Sequence, residues 1–447
     1  MVRAKMTFPA DFRWGTATSS YQVEGNNVNS DWWTWEQDVA QNPQGHQAGL
    51  ASSWWTDAEK DLDFAAEMGT NAHRLSLEWS RIEPEPSVFD SNALDRYRHI
   101  LQAIHDRNIE PMVTLHHFSN PLWLVEKGDF DSEIVVDYFK RYVRQVVDTL
   151  GDLIPKWITI NEPMVYVFLR NLSEVFPKPK QAGFIGAMRT LRNMLKCHAA
   201  AYHEIKAVYP QADVGVAKNM AVLVAKSGAG LPAKRWADYI SWLYNDMWLQ
   251  SVMNGRLRFP LGRGKIEGLA DTLDFIGVNY YTRHYVKFPP VGGLLETDWG
   301  PGAVVSDGNY GEVYPAGLFQ VIKRALPYQK PIYITENGVP DRADALRPSF
   351  IITHLREVWR AISFCYPVMG YYHWSLVDNF EWDRGWTQRF GLLELDVETQ
   401  KRTLRKSGRL FGEICRSGSI SSDMAARYAP ELLNTIFRGE APAIGNR

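Results

Sequence analysis

The sequence predicts a single-domain (β/α)8 barrel of the TIM type over residues 1–447, and three observations carry that expectation. Eight short β-rich segments alternate with longer amphipathic ones for most of the chain. The first of them is not followed by a glycine-rich dinucleotide fingerprint, which argues against an open doubly wound sheet. No linker divides the chain, and barrels use this much length in one domain.

The candidate strands are 13–17, 72–77, 111–115, 157–160, 213–217, 275–280, 332–335 and 368–373. Between them, 57–68, 91–107, 132–150, 184–208 and 347–363 carry apolar residues at three- and four-residue intervals, the mark of amphipathic helices. The first βα turn reads Trp14-Gly15-Thr16-Ala17-Thr18-Ser19-Ser20. Gly262-Arg263-Gly264-Lys265 lacks the spacing and the Ser/Thr of a P-loop, so nucleotide use has no support. The Pro/Gly-rich piece 288–302 reads as a loop on the barrel, and the stretch after Cys415, with its serines, as a loop leading to a last helix near 430–437.

A formal net charge of −2 supplies no field for polyanions or an anionic membrane, so nucleic acid and membrane are not expected partners. Cys197, Cys365 and Cys415 lie far apart with no CxxC pair, which suits a reducing compartment. Met1 to Phe12 lacks the apolar core of a secretory signal, and a soluble, cytoplasmic protein is expected. The 17 tryptophans are mostly expected in the core, although several adjoin polar residues as sugar-stacking platforms do.

In a parallel barrel, residues just after the strands converge on one mouth. After strand four comes Thr159-Ile160-Asn161-Glu162-Pro163, and after strand seven Tyr333-Ile334-Thr335-Glu336-Asn337-Gly338. Each places a carboxylate where an apolar strand gives way to polar residues. This pair resembles the catalytic motifs of glycoside hydrolase family 1. The opening Phe12-Arg13-Trp14-Gly15 through Ser20-Tyr21-Gln22-Val23-Glu24-Gly25 is similar to that family's N-terminal signature. So are Arg74 to Ile82, Asn279-Tyr280-Tyr281, and Trp374 to Trp382, in the family's order.

The resemblance implies a retaining exo-β-glycosidase, a β-glucosidase first, acting on small β-glucosides and gluco-oligosaccharides, with glucose as product and no metal or organic cofactor. It assigns Glu162 as general acid/base and Glu336 as nucleophile. Retention needs the two carboxyls about 5 Å apart, where their repulsion keeps one proton bound. By the same resemblance Arg74 sits near Glu336, Tyr281 orients it, and Asn279 helps hold Glu336 or the 2-hydroxyl region. Gln22, His117, Asn161 and Glu381 are expected to bond the glycone hydroxyls, and Trp374 and Trp382 to supply stacking and an indole N–H. A carboxylate at Glu381 argues against a 6-phosphorylated glycone. Side activity on β-fucosides and β-galactosides, and glycosyl transfer to other acceptors, follow from a covalent intermediate. A sugar-binding pseudoenzyme and an endo-acting barrel enzyme are the alternatives. Oligomeric state is left open.

His116 and His117 are neighbours at a strand end, so only one can face the mouth, and no metal is expected there. His198 and His203 are read as non-ligands. The sequence departs from the family pattern at His117-Phe118-Ser119-Asn120-Pro121, where Phe118 replaces a tryptophan, and from Met164 through Lys180. That second stretch borders the leaving-group side, and aglycone preference is therefore open.

Overall fold

Parallel strands are buried on both faces, so their side chains must be apolar toward the barrel interior and toward the helix layer alike. The predicted segments largely meet that demand, with buried exceptions such as His73 and Arg74. In the computed structural model, which describes residues 4–291 and 293–437, they close into an eight-stranded barrel. The strands are β1 (Arg13–Ala17), β2 (Ala72–Ser76), β3 (Glu110–His116), β4 (Lys156–Asn161), β5 (Asp213–Asn219), β6 (Phe275–Asn279), β7 (Ile332–Asn337) and β8 (Val368–Trp374). Each pairs in parallel with its sequence neighbour in this set, and β8 closes on β1.

The inner layer takes one residue from each strand: Ala17, Ala72, Met112, Ile158, Ala217, Phe275, Tyr333 and Tyr372. Three alanines opposite large rings fill the interior without voids. Gly15 belongs to the same fit, because a Cβ there would lie 2.4 Å from the Tyr372 ring. Outward-facing Leu75, Val113, Val214, Val216, Ile276, Val278, Ile332 and Ile334 join the larger core beneath the helices.

Those helices are α1 (Trp54–Met68), α2 (Ser91–Asp106), α3 (Val135–Leu150), α4 (Gly183–Val208), α5 (Leu231–Asn245), α6 (Met247–Asn254), α7 (Pro315–Ala325), α8 (Arg347–Ser363) and α9 (Lys406–Ser417). α2 starts where Asp90 accepts from the Asn92 and Ala93 amides, at 2.8 and 3.3 Å, and α1 stops at left-handed Gly69.

The C-terminal expectation is corrected. The serine-rich stretch after Cys415 is not a loop: Ser419–Ser421 is a strand paired antiparallel with Lys5–Thr7. Ser421 Oγ then accepts from Met424 N at 3.2 Å and caps the helix Ser422–Tyr428. Serine composition reads as loop locally, whereas pairing with the far end of the chain is a tertiary fact. Near 430–437 there is a 3-10 turn at Pro430–Leu432 and a short helix at Leu433–Ile436. Among the described residues no helix is long and apolar enough to cross a membrane.

Candidate active site

Strict alternation along β4 would put Ile158, Ile160 and Glu162 on one face. The structure breaks it. Ile158 lies in the inner layer and Ile160 in the outer core, with an irregular register against β5 between Ile158 and Asn161. Thr159 meanwhile meets His198 of α4 at 2.6 Å. The slip brings Asn161 back into the barrel. A second irregularity, between Ile334 and Glu336 against β6, does the same for Glu336. Bulges of this kind re-aim side chains at the rims of barrels. Glu162 itself takes a left-handed backbone, φ 44°, immediately before Pro163, which bars its predecessor from the right-handed helical region. Gly338 is required for close approach: a Cβ there would stand 1.9 Å from the Trp374 carbonyl.

Glu336 is buried and gripped by charged and hydroxyl donors. Arg74, itself fully buried, donates from Nη1 to Glu336 Oε1, and Tyr281 donates its hydroxyl to Oε2 at 2.6 Å. Arg74 is fixed in turn by Thr114 Oγ1 at 3.1 Å and Asn161 Oδ1 at 2.7 Å. Each oxygen of this carboxylate thus faces a charged or hydroxyl donor.

Among the described residues Glu162 receives only amides: Asn279 Nδ2 at 2.7 Å and Asn219 Nδ2 at 3.2 Å, both to Oε1. Burial first, and the Glu336 charge second, push its carboxyl up to about 7. One carboxyl of the pair thus keeps its proton near neutrality while the other is paired with an arginine. Asn279 was expected to help hold Glu336 or the 2-hydroxyl region. Its backbone is the register partner of Glu336, but its side chain reaches across to Glu162, with Thr335 Oγ1 holding its Oδ1 at 2.6 Å.

Gln22, His117, Asn161, Trp374, Glu381 and Trp382 all line one cavity of about 310 Å³ with Glu162, Glu336 and Tyr281. Gln22 Nε2 and Asn379 Nδ2 both donate to Glu381 Oε2, at 2.9 and 3.0 Å. Burial pushes the Glu381 carboxyl up to about 8. The expected repulsion of a phosphate is therefore weaker than a fixed anion would give; the partners of this carboxyl are amides, not cations.

His117 lies between Trp374 and Trp382, near parallel to both rings. Because Asn161 Oδ1 accepts from Arg74, its Nδ2 donates to His117 Nε2 at 3.1 Å, which leaves the ring proton on Nδ1. His116 turns the other way, against Phe130 and Tyr166. His198 has both ring nitrogens engaged, by Thr159 and the Thr272 carbonyl, and His203 meets the Gly268 carbonyl. No cluster of metal-ligating side chains occurs among the described residues.

Both departures from the family pattern touch this cavity. Phe118 lines it and stacks at 15° on Tyr166, while Asn120 is taken up by Asp31 and Tyr166. From the second departure Val165, Leu169, Val175 and Phe176 form an apolar part of the lining. Asn219, Tyr244, His284 and Tyr310 also line the cavity and were missed by sequence reasoning. Only Asn219 carried a signal, a polar residue just past an apolar strand. Most tryptophans are core, as expected: Trp32, Trp79, Trp157 and Trp248 are fully buried.

The model of glycosyl hydrolase family 1 matches residues 4–419. A β-galactosidase of Pyrococcus woesei is 30% identical, over 93% of this chain and 98% of its own. Among solved structures, a β-glycosidase from Pyrococcus horikoshii superposes with a TM-score of 0.87 at 36% identity, covering 95% of this chain and 98% of that one. A β-glucosidase from Thermotoga maritima in complex with noeuromycin gives 0.87 at 27% identity, covering 93% and 100%.

Proposed function

The chain belongs to glycosyl hydrolase family 1, a glycoside hydrolase by that membership, and on this premise we propose that it is a retaining exo-β-glucosidase that works through a covalent glycosyl-enzyme. The observation that carries the reading is the unequal treatment of two carboxyls in one cavity. Glu336, paired with Arg74 and aligned by Tyr281, is the nucleophile at the anomeric carbon. Glu162, holding a proton up to about 7, delivers it to the departing oxygen.

Esterification removes the Glu336 charge, so the second cause of the raised Glu162 pKa disappears. Glu162, its proton already passed to the leaving group, is then held as the carboxylate and takes a proton from water, which attacks the anomeric carbon, displaces the Glu336 carboxylate and frees the sugar with its configuration retained. A sugar or alcohol in place of that water yields a transfer product. Gln22, His117, Asn161 and Glu381 bind the glycone hydroxyls, and Trp374 and Trp382 pack on the ring. β-Fucosides and β-galactosides are further substrates, in keeping with the mixed names of the relatives.

Two measurements test the assignment. Wild-type protein should release β-glucose first from an aryl β-glucoside, seen by NMR before mutarotation. With Glu162→Ala and an activated aryl glucoside, azide should restore turnover and give the β-glucosyl azide; an α-azide would reverse the two roles.

A further inference from the structure

Lys218 takes no part in the reaction above, yet it stands next to a residue that touches Glu162. Along β5, Ala217 and Asn219 face the barrel interior and Lys218 faces the helix layer. Its side chain is fully buried. It forms no ion pair among the described residues; its Nζ donates to the Asn219 carbonyl and sits 4.5 Å from the centre of the Tyr244 ring. Asp246, the acid at the end of α5, is occupied by Arg324 at 3.0 and 3.1 Å. A buried ammonium with a carbonyl and an aromatic face, but no carboxylate, is costly to keep and points to use rather than packing.

The connection to the site is short. Tyr244 donates its hydroxyl to Asn219 Oδ1 at 2.7 Å, and Asn219 Nδ2 donates to Glu162 Oε1 at 3.2 Å. Lys218 therefore grips both the backbone of the residue that contacts Glu162 and the ring that orients its amide. We propose that Lys218 is a positioning residue for Glu162: its ammonium holds Asn219 and Tyr244 in place and favours the ionised carboxylate that the hydrolytic step uses. This rests on Glu162 being the acid/base.

The charged groups facing Lys218 are Glu162, Asp246 and Arg324, with the Tyr244 ring against its ammonium and the Tyr328 hydroxyl donating to Asp246 at 3.4 Å. Burial pulls the amine down to about 7, with the Glu162 charge opposing that fall, so amine and carboxyl lose their protons over the same range and as a pair.

The test is the alkaline limb of kcat/KM on an aryl β-glucoside with a poor leaving group, where protonated Glu162 is required. In Lys218→Met the carboxylate loses its cation, so the limb should move up by about one pH unit. Lys218→Arg should keep it at or below the parent position. On a dinitrophenyl β-glucoside, where the hydrolytic step limits turnover, kcat near pH 6 should fall several-fold in the methionine variant and recover in the arginine one. A uniform loss at every pH, with the limb unmoved, overturns the proposal. Should Lys218→Met not fold, Tyr244→Phe cuts the link to Asn219 and should also raise the limb; a stationary limb there overturns the proposal equally. Glu162→Gln separates the two readings: it should abolish the limb, and if the limb persists it is the acid/base assignment that fails, not the role of Lys218.

Discussion

Around Gln22, Asn161 and Glu381 the polar side chains hold one another, with Asn161 by itself joining Arg74, His117 and Asn279. Around Val165, Leu169, Val175 and Phe176 the same cavity presents hydrocarbon. The first part of the lining is directional and preorganised, so its groups act only on a ligand whose hydroxyls match them. The second is non-directional and discriminates by apolar area. A mutation in the polar part should therefore be felt in the rate of bond cleavage, and one in the apolar part in the affinity for the leaving group.

The largest break is Glu336→Ala, which removes the nucleophile and should lower kcat about 10,000-fold or more with the fold intact by circular dichroism. Next, Glu381→Ala should cost about 100-fold in kcat/KM on aryl β-glucosides, because amides and sugar hydroxyls lose a buried partner. Inhibition by a free aglycone such as a phenol should be unaffected. The pH dependence follows in size. A carboxyl raised to about 7 serves as acid below that value and loses its proton above it, so kcat/KM should fall as pH rises through about 7, by about tenfold per unit beyond it. Leu169→Asn, on the apolar part, should raise KM for an octyl or aryl glucoside only about three- to tenfold, with kcat and glucose inhibition unchanged.

The smallest effect is on stability. Burial holds the proton on Glu381 up to about 8, against an unfolded value in the ordinary carboxyl range. The stabilisation is complete below that ordinary range and is lost as pH rises through about 8. Glu381→Gln should therefore gain in Tm relative to the parent between about pH 5 and pH 8. A constant difference across that range would mean that the carboxyl is not protonated in the folded state.

Much of this was legible in the chain, and the omissions have definite causes. The eight strands were legible as short β-rich runs, most of them apolar because a parallel strand is buried on both faces. Glu162 and Glu336 stood out because each ends such a run. The register slips in β4 and β7 are invisible to alternation, which would have turned Asn161 toward the helices. The resemblance put Asn279 by Glu336 or the 2-hydroxyl region, and only side-chain direction showed it bonding Glu162. Tyr244 lies on α5, far from any strand end, and has no local mark.

By itself the sequence determined the order of strands and helices, the residues at each strand end, and the departure of 164–180 from the family pattern, since these depend on local pattern and chain connectivity. Closure of the barrel decided the rest. It set Asn219 and Asn279 on the same carboxyl oxygen, enclosed Lys218 without a carboxylate partner, and gave Arg74 to Glu336 while leaving Glu162 to amides. Those differences in burial and partner separate two glutamates that are chemically alike in the chain, because a pKa is a property of surroundings.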